Sequence, residues 1–182
     1  MQLDNDAELM QRVAAGDNSH FKELFDRHYD RTVAIAYRSL GDLDLAEDIA
    51  MDCFARIYQA RKSYSPKAKF TTFLYRVLIN LCMNTAKRRK IVQLEPLDES
   101  AFSGSPESDP AAALHRKEIS KQVRAAVLSL PANQRIALVL TRYEGMSYAA
   151  AAEVMNISVK ALESLLHRGK ENLRKKLREF AL

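Results

Sequence analysis

The segment "KFTTFLYRVLINLCMNTAKRRK", residues 69–90, combines side chains that could bind a nucleic acid. Aromatic residues recur in its first half, and its last four residues are all Lys or Arg. Aromatic faces can stack on unpaired bases, and cations can bind the phosphates of the same strand. Helix packing could also account for the aromatics, and plain solvation for the cations. Their combination within one short segment favours a nucleic-acid site.

A second candidate site lies in the long helix predicted to begin at Ser158. On a helical wheel its apolar residues gather on one side, and polar residues gather on the other side near the helix N-terminus. With the short helix and turn before it, the segment has the pattern of a helix-turn-helix, whose second helix enters the major groove. Solvent exposure is the alternative explanation of the polar side. The predicted contacts to duplex DNA are Ser158, Lys160, Ala161, Ser164, His167, Arg168 and Lys170.

Charge is divided unevenly along the chain, whose formal net charge is +5. Residues 41–55 contain five acids and no Lys or Arg, whereas residues 61–90 contain nine Lys or Arg and no acid. A small net excess says little about a partner, but a division of this kind indicates two surfaces for two different partners.

The elements that must position these residues are predicted to be helices. The chain has only 5 Gly in 182 residues, and apolar residues recur mainly at helical spacing. Ser19 is a good N-cap, and Gly16 and Gly41 are suitable helix stops. The predicted helices are 6–15, 19–40, 42 or 44 to 62, 69–90, 114–130, 132–143, 147–155 and 158–180, with a tight turn at Asn156.

Between the helical halves lies an acidic segment rich in Ser, Pro and Gly. Residues 91–113 contain five acids and no Lys or Arg, which is typical of a flexible linker. The sequence therefore predicts an all-α protein with two small helical domains, 1–91 and 114–182, joined by a flexible acidic linker, 92–113. A passive tether is the simplest interpretation of that linker.

Other classes of function find little support. Cys53 and Cys82 form no CxxC motif and lie among apolar helical neighbours, so we expect buried structural thiols. The four His are scattered, no Gly-rich phosphate loop occurs and no nucleophile has a recognisable setting, so we expect no catalytic residue, metal or cofactor. No apolar run could span a bilayer, and the N-terminus lacks the pattern of a secretion signal. A cytoplasmic protein is expected.

Two sets of motifs resemble one known family. "LPANQRIALVLTRYEGMSYAAAAEVMNIS" is similar to the C-terminal promoter-reading domain of the extracytoplasmic-function (ECF, group IV) sigma factors of the sigma-70 superfamily. "AEDIAMDCFARIY" and "KFTTFLYRVLIN" resemble the N-terminal domain of that family. The resemblance covers nearly the whole chain in the expected order. It implies a non-catalytic subunit that directs RNA polymerase to promoters, reading the −35 element as duplex and opening the −10 element.

The resemblance also implies which residues would capture the −10 strand. Asn80 is the sharpest candidate, because its amide can both donate to and accept from a base edge. Phe73 stands where the family commonly has Trp. The four terminal cations would hold duplex phosphates just upstream. The implied −10 contacts are Tyr64, Lys69, Phe73, Tyr75, Arg76, Asn80, Lys87, Arg88, Arg89 and Lys90.

Protein partners follow from the same resemblance. Asp48, Met51 and Asp52 lie at i, i+3 and i+4 and so share a helix face, which would dock on the β′ coiled coil of core RNA polymerase. Met51 stands where the family usually has Gln. The β flap would be a second contact, and the linker would follow the RNA path and mimic a nucleic-acid strand. Such sigma factors are usually held inactive by an anti-sigma factor, often membrane-anchored, and take no small-molecule substrate.

Two alternatives stay open at this stage. A stand-alone helix-turn-helix regulator would need a dimer interface or a sensor domain, and it would leave the acidic face and residues 69–90 unexplained. A sigma-mimicking decoy would bind an anti-sigma factor without binding DNA.

Overall fold

The computed structural model describes residues 5–65, 69–91 and 110–180, and the side chains of 90, 91, 110–118 and 180 lie outside the described part. All regular elements in these residues are helical, which confirms the all-α prediction. The α-helices are α1 Asn5–Ala14, α2 Ser19–Leu40, α3 Leu43–Gln59, α4 Phe70–Ile91, α5 Pro110–Leu128, α6 Ala132–Leu138, α7 Tyr148–Met155 and α8 Val159–Phe180. A 3₁₀ turn spans Arg61–Ser63 and a π-helical turn spans Val139–Tyr143.

Several helices begin or end at the cap and stop residues that the sequence predicts. Gly41 is left-handed (φ 81°), and its N–H donates to the carbonyl of Tyr37 at the end of α2. Asp42 is extended, and its carboxylate accepts from the N–H of Leu45 at 3.0 Å, which caps α3. The predicted turn between α7 and α8 is present, and Asn156 within it is left-handed (φ 53°). These caps satisfy backbone groups that a helix end leaves without intrahelical partners.

Other ends differ from the prediction. Ser19 is the first residue of α2 rather than its cap, and the Asp17 carboxylate accepts from the Ser19 N–H at 3.2 Å and hydroxyl at 2.6 Å. α5 begins at Pro110, so residues 110–113 of the predicted linker are helical. Proline is favoured at the first helical position, and the Ala run after it has high helix propensity. The remainder of the predicted linker, 92–109, lies outside the described residues.

Helices α1–α4 pack together as the N-terminal module. α2 and α4 both pack on α3, and the core contains Phe54, Ile57, Phe70 and Leu74, each at most 2% exposed. Cys53 and Cys82 are free thiols buried in this core, which confirms their structural placement. Burial raises the pKa of each thiol to about 12, so both are protonated and unreactive at neutral pH.

Helices α5–α8 form the C-terminal module. α6 packs on α8, and Gly169 of α8 faces this contact, where a Cβ would lie 3.4 Å from the side chain of Leu138. The buried guanidinium of Arg135 donates to the carbonyls of Leu128 and Leu130, which ties the end of α5 to α6. Burial lowers the pKa of Arg135, and these carbonyls compensate for part of the lost hydration.

The two modules pack against each other in the described part of the chain. α4 contacts α7 and α6, while α2 contacts α5, α6 and the π-helical turn. One hydrophobic cluster contains buried residues of both modules. This contact places the helix with the predicted −10 residues directly against the first helix of the helix-turn-helix. None of the helices in the described residues is both long and apolar enough to span a bilayer.

Candidate nucleic-acid and protein-binding surfaces

The polar side of α8 forms an open surface. Ser158, Lys160, Ser164, His167, Arg168 and Lys170 are exposed, and Ala161 is half-buried. The opposite side is anchored, because Leu162 and Leu166 are at most 3% exposed and pack in the core of the module. Together with α7 and the turn at Asn156, α8 has the arrangement of a helix-turn-helix with its polar side available to a groove.

Local hydrogen bonds fix the start of each helix in this motif. The Ser147 hydroxyl accepts from the N–H of Ala150 at 3.2 Å, and the Ser158 hydroxyl accepts from the N–H of Ala161 at 3.1 Å. Arg168 Nε donates to the carbonyl of Ser164 at 3.2 Å, which orients the guanidinium along the polar side. Its remaining N–H groups can donate to phosphates or to a base edge.

The predicted −10 residues on and before α4 fall into two groups. Lys69, Asn80, Lys87 and Arg88 are exposed, and Phe73 and Tyr64 are half-buried with ring centroids 5.5 Å apart. An amide and three cations are therefore exposed, whereas the two aromatic rings pack partly against the core. Phe70, by contrast, is fully buried, so its ring serves the core. The side chain of Lys90 lies outside the described residues.

Three other predicted −10 residues are engaged inside the chain. Tyr75 is 3% exposed, so its ring cannot reach a base in this arrangement of the modules. The same burial raises the pKa of its hydroxyl. Arg76 forms an ion pair at 3.1 Å with Glu153 of α7. Arg89 forms an ion pair at 2.6 Å with Asp42, the cap of α3. In this arrangement of the modules, contacts with distant parts of the chain therefore engage all three side chains.

The acidic face of α3 is exposed as a unit. Asp48, Met51 and Asp52 all face solvent, and Met51 is 52% exposed, an unusual position for a large apolar side chain. Asp52 accepts from Arg56 Nε with both oxygens at 3.1 Å, and this hydrogen bond raises the pKa of Arg56. An apolar side chain between two carboxylates suits a protein partner with a basic surface.

One charged group was not found from the sequence. The side chain of Glu144 is 3% exposed and accepts from Arg31 Nε at 2.6 Å and from Arg38 at 3.2 Å. The hydrogen bond between Arg31 and Glu144 is the main cause of the raised pKa of Arg31. Glu144 lies in the "EGMSY" motif, but its partners are 113 and 106 residues away, and no local pattern could identify them. Among the described residues, no group of His, Cys, Asp and Glu could hold a metal ion.

Comparison with known proteins identifies both modules. Residues 24–91 match the family described as "Sigma-70 region 2", and residues 120–173 match "Sigma-70, region 4". The chain is 30% identical over 179 residues to the ECF RNA polymerase sigma factor SigW of Bacillus subtilis (strain 168), covering 94% of this chain and 96% of that protein. It is 30% identical to the RNA polymerase sigma-H factor of Pseudomonas aeruginosa PAO1, covering 96% of this chain and 94% of that protein.

A solved structure supports the same assignment of the fold. The chain is similar to CnrH, whose structure is described as a complex with the cytosolic domain of CnrY. The TM-score is 0.70 at 25% sequence identity, and the match covers 97% of this chain and 99% of that chain. The likeness therefore extends over both modules rather than over the helix-turn-helix alone.

Proposed function

Because the chain belongs to the extracytoplasmic-function sigma factors of the sigma-70 family, we propose that it binds core RNA polymerase and directs it to specific promoters. One observation carries this proposal. The region 2 and region 4 matches fall in order on two helical modules, which expose an acidic face on α3 and a polar face on α8. A stand-alone regulator would use the second of these surfaces without the first.

The polar side of α8 would read the −35 element as duplex. Lys160 and Arg168 would contact phosphates or guanine edges, and Ser158, Ser164, His167 and Lys170 would add polar contacts around them. Ala161 offers only a methyl group, which suits a thymine methyl. This assignment is supported by the exposure of the polar residues and by the burial of the opposite side of α8.

The exposed residues of α4 would capture the −10 strand. Asn80 would hydrogen-bond a base, Phe73 and Tyr64 would stack on bases, and Lys69, Lys87 and Arg88 would hold phosphates. Tyr75, Arg76 and Arg89 would join them only after their present intramolecular contacts open.

Two further partners belong to the proposal. The Asp48, Met51 and Asp52 face would dock on the β′ coiled coil, and the C-terminal module would contact the β flap. CnrH is described in complex with the cytosolic domain of CnrY, and we extend the general expectation of an anti-sigma factor, often membrane-anchored, to this chain. The acidic linker would follow the RNA path of the polymerase.

Transcription in vitro tests the function as a whole. Core polymerase is mixed with this protein and genomic DNA, and the 5′ ends of the transcripts are sequenced. We expect initiation at a set of sites that share upstream elements and that core polymerase alone does not use. Transcripts identical to those of core polymerase alone would refute the proposal. The remaining alternatives would then be a stand-alone helix-turn-helix regulator or a sigma-mimicking decoy.

Charge reversal of the acidic face should weaken polymerase binding. The double change Asp48→Lys and Asp52→Lys is expected to lower the affinity for core polymerase about tenfold, mainly through the association rate, because complementary charge steers encounter. Loss of the exposed Asp52–Arg56 pair itself costs little stability. Affinity is measured by surface plasmon resonance, with Glu23→Lys plus Asp26→Lys on α2 as the charge-matched control. Equal affinities for the two double variants would exclude α3 as the docking face.

Arg168→Ala should weaken −35 binding in a salt-dependent way. Loss of one phosphate contact is expected to lower duplex affinity several-fold and to make the slope of log K against log salt shallower by about 0.9. The measurement is fluorescence anisotropy over a salt series. Arg178→Ala, at an exposed position in the last turn of the same helix, is the control and should leave the slope unchanged. An unaltered slope for Arg168→Ala would remove this residue from the phosphate contacts.

A further inference from the structure

Glu163 is an exposed carboxylate on α8, the helix that carries the predicted duplex contacts, but it is not one of those contacts. It follows Lys160 by three residues and precedes His167 by four, so the three side chains share one face of the helix. Leu162 beside it is fully buried, which fixes the rotation of the helix about its axis at this point. Glu163 therefore lies among the side chains proposed to face the major groove.

The carboxylate of Glu163 has no partner among the described residues. α8 carries two other carboxylates, and both have a neighbouring cation or imidazole on the same helix. Glu171 lies 3.6 Å from His167 Nε2, and Glu179 accepts from Lys176 Nζ at 3.0 Å. Glu163 forms neither an ion pair nor a hydrogen bond within the described part of the chain. Both of its oxygens are therefore available as hydrogen-bond acceptors.

Ser164, the next residue, also presents an acceptor. Its hydroxyl donates to the carbonyl of Lys160 at 2.9 Å, so the hydroxyl proton is engaged within the helix. The oxygen keeps its lone pairs and can accept a hydrogen bond from outside. Positions 163 and 164 thus place two acceptors side by side, in the part of α8 between the cations of Lys160 and Arg168.

Acceptors at these positions limit which groups of a DNA duplex can face them. A carboxylate repels the phosphates, so its favourable partners are hydrogen-bond donors on the base edges. In the major groove the donors are the N4 amino group of cytosine and the N6 amino group of adenine, whereas guanine and thymine present acceptors. Adenine also presents its N7 acceptor beside N6, which would face the carboxylate. Cytosine is therefore the base that suits Glu163.

We propose that Glu163 is a specificity-determining residue that selects a cytosine in the −35 duplex by accepting a hydrogen bond from its N4 amino group. This role rests on the proposed function, in which α8 reads the duplex. Opposite any other base, the carboxylate would lose its water without gaining a good donor, and that loss disfavours the complex. Glu163 thus acts as much by rejecting other bases as by binding cytosine.

Two substitutions at this position should change the base preference in different ways. The parent chain is expected to prefer cytosine over the other bases by about tenfold at one position of its duplex site. Glu163→Gln offers one donor and one acceptor, the pattern that pairs with N6 and N7 of adenine, so its preference should move from cytosine to adenine. Glu163→Ala should bind all four bases at that position with similar affinity.

The experiment first selects the preferred duplex and then measures affinity. The immobilised full chain, with and without core polymerase, is incubated with random-sequence duplexes, and the bound duplexes are sequenced. Fluorescence anisotropy then gives the affinity of each variant for four duplexes that differ only at the selected cytosine. Glu179→Gln, the same chemical change at an exposed position near the end of α8, is the control and should keep the preference for cytosine.

The order of the four affinities separates base selection from a structural effect. Damage to α8 would weaken binding to all four duplexes alike and would leave their order unchanged. Glu163→Gln removes a negative charge that faces DNA, so its affinity for the adenine duplex should equal or exceed that of the parent chain. Because Glu163 is exposed, both variants are expected to fold, and far-UV circular dichroism checks their helix content.

A selected site without cytosine, or no selected site with either sample, would overturn the role of Glu163. The same conclusion would follow if both variants kept the parent preference. If base preference follows the variants but core polymerase shows no promoter-directed transcription, the proposed function fails while cytosine selection by Glu163 stands. If transcription is promoter-directed but all variants rank the four bases alike, cytosine selection fails while the proposed function stands.

Discussion

Phe70→Ala is expected to lower the free energy of unfolding by about 3–5 kcal/mol, the usual cost of deleting a fully buried aromatic ring. Phe70 is 0% exposed, and its ring centroid lies 5.5 Å from that of His28 and 6.4 Å from that of Tyr64. The ring therefore joins the start of α4 to α2 and to the loop before it. Because domains are stable by only about 5–15 kcal/mol, this is a large fraction of the total.

Phe73→Ala is the matched control for Phe70. Phe73 is half-buried on the same helix, so its loss should cost about 1 kcal/mol, within the range for partly exposed sites. Urea unfolding followed by far-UV circular dichroism gives both values. Promoter opening should respond in the opposite order, with Phe73→Ala the more damaging change at a temperature where both variants are folded. Equal destabilisation by the two changes would show that Phe73 is a core residue and not a stacking platform.

Asn80→Ala is expected to reduce open-complex formation about 10-fold to 100-fold, the range associated with loss of a well-placed base contact. The Asn80 side chain is exposed on α4, and its amide can pair with a base edge as both donor and acceptor. Alanine keeps the helix and removes only that pairing. Permanganate footprinting of the promoter measures opening, and gel filtration with core polymerase should show an unchanged complex.

Asn84→Ala provides the comparison for Asn80. Asn84 is the same residue type, exposed on the same helix one turn further along, and lies outside the predicted −10 set. We expect it to leave promoter opening close to the parent level. If Asn80→Ala opened the promoter as well as Asn84→Ala does, Asn80 would not be the base-capturing residue.

Most of the helices could be predicted because their signals are local. α2 ends at Leu40 as predicted, because the left-handed Gly41 stops the helix at a point that apolar spacing alone does not locate. α6 ends at Leu138 and not at the predicted residue 143, because a π-helical turn forms the remaining residues. The hydrogen bonds of such a turn join residues five apart and leave no distinct pattern in the sequence. Ser19 is predicted as the N-cap of α2 but is its first residue. Its N–H and hydroxyl both donate to the carboxylate of Asp17, which precedes the helix.

The candidate surfaces also differ in whether local sequence patterns could predict them. The polar side of α8 and the acidic face of α3 follow from spacing within one helix, and their exposure agrees with the prediction. Tyr75 and Arg76 lie in the predicted −10 segment, but their present environment depends on α7 and on Glu144, far along the chain. Spacing on α4 predicts which residues share a face, and it does not predict what covers that face.

By itself, the sequence determined the helical class of this protein, its two halves, the helix faces that carry charge and the family motifs. All of these depend on periodicity and residue type over short stretches of chain. Only the tertiary structure decided that α7 lies on α4, that Glu144 is buried between Arg31 and Arg38, and that Arg89 is paired with Asp42. Those pairs join residues 47 to 113 positions apart, so they depend on how helices and modules meet in space.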